Sequence, residues 1–316
     1  MKTVKFANGD EMPILGLGTF RSDPGEIGRV VTKAIEVGYR HFDCAAFYGN
    51  EQEIGEAINE AIDEGIVERE DLWITSKLWN DSHLKDDVMP ALEKTLENLD
   101  LDYLDLYLMH WPVAQKKGKI WPEEPGDFLS WDAAPLEETW EGMEDGVDDG
   151  LVKHIGVCNF NSKALQLIID SAWIPPEVNQ VELHPFLPQI SLYDYCRSSG
   201  IAMTAFGPLG APYRQLEPSG KISPVLMDNN TVLEIAEKHD CTSAQVLIAW
   251  SLARKVSVIP KTTKEDRLKE NFEAINIKLD REDLRNLALL SKYRYVSGEI
   301  FTIAGSPYKL TDLWDY

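Results

Sequence analysis

The sequence predicts an α/β protein: a (β/α)8 TIM barrel with a short N-terminal hairpin, long loops on the C-terminal face and a C-terminal tail. Three observations support this prediction. Short apolar runs alternate with amphipathic stretches, the apolar runs number eight, and neither a repeat nor a polar linker divides the series. Strict alternation implies parallel strands joined by helical crossovers, and eight such units can close into a barrel. We therefore expect a single domain over residues 1–316.

The N-terminal hairpin is predicted from an apolar segment, Val4 to Phe6, and the turn Asn8-Gly9-Asp10 that follows it. The first barrel helix is expected from Gly25 to Val37, with Asp23-Pro24 as its start signal and Gly38 as its stop. Apolar residues at helical spacing give each of the first three helices one buried face. These faces are Ile27, Val30, Val31, Ala34 and Ile35; Ile54, Ala57, Ile58, Ala61 and Ile62; and Val88, Ala91, Leu92, Leu96 and Leu99.

The eight predicted strands are Ile14 to Gly18, Arg40 to Asp43, Leu72 to Lys77, Tyr103 to His110, His154 to Cys158, Val178 to Glu182, Ile201 to Phe206 and Ser257 to Lys261. An open, doubly wound sheet is the alternative arrangement of such strands. That fold usually carries a GxGxxG turn after its first strand, whereas the segment Leu15 to Thr19 contains only Gly-Leu-Gly-Thr. The barrel is therefore favoured.

Two long segments, Pro112 to Pro135 and Gly207 to about Asn229, interrupt the alternation and are rich in Pro and Gly. Loops of this length in a compact domain are usually functional. The tail from Ser291 onward is aromatic, so we expect it to pack over the barrel. Its aromatic residues include Tyr293, Tyr295, Phe301, Tyr308 and Trp314.

The composition is that of a globular protein, with 44% hydrophobic and 27% charged residues. A formal net charge of −22 opposes binding to the phosphates of nucleic acid and to an anionic membrane. The acidity indicates a solvated, self-repelling surface that keeps the protein soluble, and adaptation to a saline habitat is the other explanation. We expect no nucleic-acid or membrane partner, and either a monomer or a weak homodimer.

The four cysteines, Cys44, Cys158, Cys196 and Cys241, are scattered and form no CxxC pair. Reduced thiols are therefore expected rather than a disulfide framework or a zinc site, and no metal is predicted. No apolar run approaches the roughly 18 residues that span a bilayer. The N-terminus lacks a basic region followed by an apolar signal segment, so a cytoplasmic location is expected.

The strand ends carry the side chains that suggest chemistry, because catalytic residues of such barrels collect at the C-terminal ends of strands. Taken singly, Asp43 could cap a helix, Lys77 could be a surface lysine and His110 could be a core histidine. Their convergence at one rim favours a catalytic site. The polar residues at or near strand ends are Asp43, Lys77, His110, Cys158, Asn159, Gln180, Glu182 and Lys261.

Three segments resemble the signatures of one family, the aldo-keto reductases. Gly-Tyr-Arg-His-Phe-Asp-Cys-Ala-Ala-Phe-Tyr-Gly-Asn-Glu, from Gly38 to Glu51, is similar to the first signature, and Gly156-Val157-Cys158-Asn159-Phe160 is similar to the second. Ile259-Pro260-Lys261-Thr262, followed by Arg267, Glu270 and Asn271, resembles the third. The three occur in order, and the likeness extends from Met12 to about Asn271. The chain is thus identified as a member of the aldose or aldehyde reductase-like branch.

The resemblance implies that Tyr48 is a general acid, that Asp43 and Lys77 tune it, and that His110 orients a carbonyl group. Hydride reduction of a carbonyl leaves an alkoxide, so a proton donor must stand beside the oxygen. A phenol has a pKa near ~10 and donates poorly at neutral pH. A neighbouring ammonium is expected to lower that pKa, and a carboxylate allows the ammonium to stay charged in a pocket.

The resemblance also implies NADPH as the cofactor, with NADH possible. Asn159 and Gln180 match positions that bind the nicotinamide amide, and Phe206 takes the place of an aromatic residue, usually Tyr, that stacks on the nicotinamide ring. Glu270 and Asn271 match adenine contacts. A cationic grip at a helix N-terminus, suited to the 2′-phosphate, is expected from Lys261, Thr262 and Arg267. Further cofactor positions are Thr19, Cys158, Gly207 and Leu209.

One departure from the family concerns the loop after the seventh strand. Ala211 and Tyr213 stand where related enzymes often have a serine and an aspartate beside the pyrophosphate. We expect weaker cofactor retention or slower loop closure as a result, with Arg21 as a residue that could compensate.

An aromatic substrate pocket is expected, because Phe20, Phe47, Trp79, His110 and Trp111 match family pocket positions. The long loop could add Trp121, Phe128 and Trp131, or these could pack against the barrel. Apolar walls with one polar corner suit aldehydes of varied shape. The tail, Gly305 to Trp314, is similar to that of enzymes acting on sugars and sugar phosphates, so the expected partner is a small-molecule carbonyl compound.

Two other functions remain open at this level. The barrel could be a non-catalytic NADP(H)-binding regulatory module, although the intact tetrad of Asp43, Tyr48, Lys77 and His110 would then be unexplained. It could also be a Schiff-base aldolase that uses Lys77.

Overall fold

Ten strands are found in the computed structural model, which describes residues 2–211 and 222–315. β1 (Thr3–Lys5) and β2 (Glu11–Pro13) form the predicted antiparallel hairpin. The other eight strands are parallel. They are β3 (Leu17–Gly18), β4 (His41–Asp43), β5 (Trp73–Leu78), β6 (Leu104–Met109), β7 (Val152–Cys158), β8 (Val178–Glu182), β9 (Ala202–Phe206) and β10 (Ser257–Val258).

The eight parallel strands lie side by side in sequence order from β3 to β10. The first and last are joined by backbone hydrogen bonds: Gly16 donates to Val258 O (2.9 Å), Val258 donates to Ile14 O (2.8 Å), and Gly18 donates to Pro260 O (3.2 Å). The sheet therefore closes on itself, and the predicted (β/α)8 barrel is confirmed.

Helices follow the strands and cover the outside of the barrel, except the last one, which lies in the tail over the C-terminal end. They are α1 (Ile27–Val37), α2 (Glu51–Asp63), α3 (Lys85–Leu99), α4 (Leu136–Asp148), α5 (Ser162–Ser171), α6 (Ile190–Ser198), α7 (Asn230–Lys238), α8 (Ser243–Ala253), α9 (Glu265–Glu273), α10 (Arg281–Ala288) and α11 (Leu310–Leu313). The helix predicted from Gly25 begins at Ile27. Gly38 ends it with φ of 116°, a left-handed conformation that favours glycine, and its N–H bonds to Ala34 O and Ile35 O.

The predicted faces of the first three helices pack inward, with the exceptions of Ile62 and Ala91, which are half-buried. The main core lies between these helices and the strands. The hairpin closes the N-terminal end of the barrel, where Phe6 and Met12 pack against Trp73 and Leu106. The C-terminal end is therefore the open one, as in other barrels of this class.

The tail packs over the C-terminal end, as predicted. Tyr308 accepts a hydrogen bond from Ala114 N (2.8 Å) and donates one to Leu129 O (2.9 Å). Trp314 donates its indole N–H to Ser297 O (2.7 Å). Phe301, Tyr308 and Trp314 are buried, so the tail contributes a second apolar cluster above the barrel. Within the described residues, no helix has the length and apolar character needed to cross a bilayer.

Candidate active site

The structure brings the four predicted catalytic residues together at the C-terminal end of the barrel. Asp43 ends β4, Lys77 lies near the end of β5, and His110 follows β6. Tyr48 comes from a 3₁₀ turn, Ala46–Tyr48, between β4 and α2. Since β4, β5 and β6 are adjacent parallel strands, their C-terminal ends share one rim, and the turn after β4 reaches over it.

Lys77 is a fully buried cation with two partners. Its Nζ donates to Asp43 Oδ1 (2.6 Å) and to Cys44 O (2.7 Å). Burial alone would lower the pKa of Lys77, but Asp43, with smaller contributions from Tyr48 and Cys158, outweighs it and the pKa lies above its usual value. Lys77 is therefore an ammonium at neutral pH.

The phenol of Tyr48 lies next to this ion pair, with Lys77 Nζ 5.2 Å from its ring centroid. Burial raises the pKa of Tyr48 above its usual value, while the charge and hydrogen bonding of Lys77 lower it by a smaller amount. Lys77 does lower the pKa of Tyr48, as predicted from the sequence. The net shift of this pKa is nevertheless upward, which is opposite to the prediction. Desolvation of the phenolate is the larger effect, so Tyr48 holds its proton at neutral pH.

His110 faces Tyr48 across the floor of the cavity, with ring centroids 5.9 Å apart and an interplanar angle of 77°. Burial, followed by Lys77 and His83, holds the pKa of His110 well below its usual value, so the ring is neutral. Nδ1 is buried without a hydrogen-bond partner among the described residues. Nε2 is therefore the ring nitrogen that opens toward the cavity.

The predicted nicotinamide residues are bonded to this tetrad. Gln180 Nε2 donates to Asp43 Oδ2 (2.6 Å), and Asn159 Nδ2 donates to His110 O (3.0 Å). Cys158 donates its thiol to Gln180 Oε1 (3.8 Å). No local sequence pattern predicts the Gln180–Asp43 contact, because the two residues are 137 positions apart.

Asn159 combines two features that suit ligand binding. Its Oδ1 is buried and has no hydrogen-bond partner among the described residues, which leaves an acceptor for an amide N–H. Its φ of 63° is left-handed, a conformation that asparagine tolerates better than most residues and that often occurs at functional sites. The end of β7 is therefore built to present this side chain.

One cavity of about 720 Å³ opens above the tetrad. Its wall includes every predicted substrate residue and eight of the predicted cofactor residues. These are Phe20, Phe47, Trp79, His110 and Trp111, together with Thr19, Cys158, Asn159, Gln180, Phe206, Gly207, Leu209 and Lys261. Ala211 and Arg21 also line it, whereas Tyr213 lies outside the described residues.

The aromatic wall is ordered by contacts between rings. Phe47 stacks on Trp79 with centroids 4.0 Å apart, and Trp121, 49% exposed, meets Phe47 edge-on at 4.9 Å. Trp121 thus lines the cavity. Phe128 and Trp131 do not, because they pack against Tyr308 of the tail.

The remaining predicted cofactor residues lie beyond this cavity, where β10 leads into α9. Thr262 and Asn271 are buried, and Arg267 is exposed on the first turns of α9. Glu270 accepts a hydrogen bond from Thr242 Oγ1 (2.8 Å), so one of its carboxylate oxygens is already engaged. Lys261 donates to Arg21 O (2.8 Å), and burial lowers its pKa.

Two residues of the site did not receive a role from the sequence. Asn50 donates to Thr19 O (3.0 Å) and so fixes the turn after β3. Glu182 lines the cavity and bonds to the tail. Position at a strand end marked Glu182 as a candidate, but its partners in the tail, Tyr295 and Val296, lie more than a hundred residues away and leave no local pattern.

Comparison with known proteins gives one consistent family. The model of the Aldo/keto reductase family matches residues 14–292. An aldo/keto reductase of Synechocystis is 47% identical over 100% of this chain and 97% of its own length. Human aldo-keto reductase family 1 member A1 is 43% identical over 91% of this chain and 89% of its own length. The solved aldose reductase of Schistosoma japonicum superposes with a TM-score of 0.87, at 42% identity and 96% coverage of both chains.

Proposed function

The chain belongs to the Aldo/keto reductase family, and on that basis we propose that it reduces an aldehyde or aldose to the alcohol with NADPH, using Tyr48 as the general acid. Membership makes it an NAD(P)H-dependent oxidoreductase that acts on carbonyl groups. The proposal adds the preference for NADPH, the substrate class and the roles of individual residues.

The observation that carries the proposal is the buried ion pair beneath a phenol. Lys77 Nζ, 2.6 Å from Asp43 Oδ1, lies 5.2 Å from the ring centroid of Tyr48, and His110 faces the same ring. A phenol that is protonated at rest, next to a fixed ammonium that can stabilise its anion, is a proton donor suited to a developing alkoxide.

The residues present fit the nicotinamide cofactor. Asn159 offers a buried acceptor without a partner among the described residues, and Phe206 lines the same cavity. Asn159 and Gln180 would hold the amide, and Phe206 would stack on the ring. The grip formed by Lys261, Thr262 and Arg267 would hold the 2′-phosphate. When bound, the reduced cofactor supplies a hydride to the carbonyl carbon.

The side chains act on the carbonyl oxygen. His110 is neutral, and a hydrogen on Nε2 would bond to that oxygen and orient the carbonyl. As the C=O π pair moves onto the oxygen, Tyr48 transfers its hydroxyl proton there, and the alcohol forms. Lys77 stabilises the phenolate left behind, and Asp43 keeps Lys77 charged. The aromatic wall limits access of water to the reacting atoms.

The Schiff-base alternative is disfavoured by the state of Lys77. A lysine that attacks a carbonyl must be neutral, and such lysines have lowered pKa values. Asp43 raises the pKa of Lys77 instead. Borohydride treatment with an aldehyde should therefore leave no adduct on Lys77 in the intact protein, as read by mass spectrometry.

The test is a panel of aldehydes, aldoses and sugar phosphates assayed by the loss of nicotinamide absorbance with NADPH and with NADH. We expect turnover of several aldehydes, a lower KM for NADPH than for NADH, and the largest kcat/KM for one substrate class. Absence of turnover across the panel, or borohydride trapping on Lys77, would reject the proposal.

A further inference from the structure

Glu182 is a buried carboxylate that the proposed reaction does not use. It ends β8 two residues after Gln180 and lines the cavity. Three N–H groups donate to it at 2.8 Å: His184 Nε2 and Tyr295 N to Oε1, and Val296 N to Oε2. Two consecutive backbone amides of the tail are thus bound by one side chain.

The arrangement requires an ionised carboxylate. His184 Nδ1 accepts from Leu187 N (3.1 Å), so the hydrogen of the neutral ring resides on Nε2 and points to Glu182. Burial by itself raises the pKa of Glu182, but His184, the Tyr295 amide and the charge of Arg294 together outweigh it and hold the pKa below its usual value. Both carboxylate oxygens therefore act as acceptors, which a glutamine side chain cannot match.

The tail segment bound in this way forms one wall of the cavity. Residues 295–301 all line it. Tyr295 also contacts the loop after β9, because its hydroxyl donates to Pro224 O (2.7 Å) and its ring packs against Gly210. Gly210 has a φ of 74°, and a Cβ there would come within 3.1 Å of the Tyr295 ring. The tail wall and the base of that loop therefore meet at Tyr295.

We propose that Glu182 is a positioning residue that fixes the tail wall of the substrate cavity relative to β8, the strand that carries Gln180. The inference rests on the proposed function and extends it. Glu182 sets the distance between the carbonyl pocket and the nicotinamide site, so it controls substrate affinity without contacting the reacting atoms.

The first test is Glu182→Gln, which keeps the shape but replaces one acceptor oxygen by an NH₂ group facing an N–H donor. We expect KM for an aldehyde to rise about tenfold, the effect of losing one charge-assisted hydrogen bond. We expect kcat to change by less than about threefold, because the tetrad is intact. Glu182→Asp keeps the charge but shortens the reach, so KM should rise by a smaller factor.

Glu144→Gln is a matched control. Glu144 Oε1 also accepts from two consecutive backbone amides, Trp173 N and Ile174 N, both at 2.7 Å. That loop follows α5 and does not line the cavity. The control should leave KM and kcat unchanged even if it lowers the melting temperature.

Hydrogen–deuterium exchange of residues 293–301 measures how firmly the tail wall is attached to Glu182, and it does not depend on enzymatic activity. Exchange should be faster in Glu182→Gln than in the wild type, intermediate in Glu182→Asp, and unchanged in Glu144→Gln. If Glu182→Gln does not fold, the Glu182→Asp comparison carries the test. Unchanged exchange and KM in a folded Glu182 variant, or an equal KM rise in Glu144→Gln, would overturn the inference. If exchange is faster in Glu182→Gln but the wild-type protein itself reduces no aldehyde, the result would reject the proposed function and leave the attachment of the tail by Glu182 supported.

Discussion

At the residue scale, the proposed proton transfer depends on two neighbouring groups, Tyr48 and Lys77. Burial keeps the Tyr48 proton in place at rest, and Lys77 favours the anion that remains once the proton has left. Asp43 in turn keeps Lys77 charged in a site that excludes water. Each group therefore depends on the next, and removing one should affect both activity and folding.

Lys77→Met should lower kcat by about 10²–10⁴-fold, the usual contribution of a general acid–base group. It should also destabilise the fold by about 3–5 kcal/mol, since Asp43 becomes a buried charge without its cation. Steady-state kinetics and urea unfolding measure the two effects. In the double variant Asp43→Asn/Lys77→Met both charges are gone, so the loss of stability should be smaller while kcat stays low. A double variant less stable than Lys77→Met would contradict the pairing.

His83 should make the protein sensitive to mild acid. It is buried, its ring nitrogens have no hydrogen-bond partner among the described residues, and burial lowers its pKa to about 3. An unfolded histidine has a pKa near ~6.5. Between these values the unfolded chain binds a proton that the native state does not, so stability is full above pH ~6.5 and falls as the pH decreases, by about 1.4 kcal/mol per pH unit.

The measurement is urea unfolding of wild type and His83→Gln between pH 7 and 5, a range chosen to lie above the pKa of ordinary carboxyl groups, near ~4. Below pH ~6.5, the free energy of unfolding should fall less steeply with decreasing pH in the variant than in the wild type. The two slopes should differ by about 1.4 kcal/mol per pH unit. Equal slopes for the two proteins would show that His83 is not held neutral.

The junction between β10 and α9 is the element on which cofactor choice should depend. α9 begins at Glu265, and its N-cap, Lys264, makes no side-chain capping bond, so the first N–H groups of the helix are open to an anion. Lys261 and Thr262 precede this helix start, and Arg267 lies on its first turns. The helix end and the cations together would favour a phosphate on the ribose.

Arg267→Ala should raise Kd for NADPH by about tenfold or more, the effect of one charge-assisted hydrogen bond. Kd for NADH, which lacks the 2′-phosphate, should change by less than about twofold. Fluorescence titration with both cofactors measures this. Lys269→Ala, on the exposed side of the same helix, is the control and should affect neither. An equal loss of affinity for both cofactors would argue against a 2′-phosphate contact.

The elements themselves could be predicted from the sequence with good accuracy because their signals are local. β8 was predicted and found at Val178–Glu182, and Gly38 ends α1 as expected. β10 ends at Val258, not at Lys261, because Pro260 has no N–H to continue the ladder. Contacts between distant segments left no such signal. The bonds from Gln180 to Asp43 and from the tail to Glu182 depend on how the closed barrel aligns its strand ends.

At the scale of the whole molecule, the chain carries a large excess of negative charge: 53 acidic against 31 basic residues. Many of the ion pairs lie on the surface, where they contribute little to stability. Repulsion among the remaining carboxylates destabilises the compact state. Of the proposed cationic grip, Lys261 lines the cavity, and Thr262 and Arg267 lie just beyond it. An anionic cofactor bound as proposed would therefore meet cationic side chains in an otherwise acidic protein.

Salt should therefore stabilise the protein. Raising KCl from about 10 mM to about 1 M shortens the screening length from about 30 Å to about 3 Å and weakens the repulsion. The melting temperature should rise across this series, as followed by circular dichroism. A falling melting temperature would mean that attractive pairs outweigh the repulsion.

The most direct test of the proposed mechanism is the turnover of Tyr48→Phe, measured beside its affinity for NADPH. The substitution removes one hydroxyl and keeps the ring that packs against Phe20 and His110. We predict a fall in kcat of about 10²–10⁴-fold or more, with Kd for NADPH changed by less than about threefold. Turnover close to that of the wild type would contradict the assignment of Tyr48 as the proton donor.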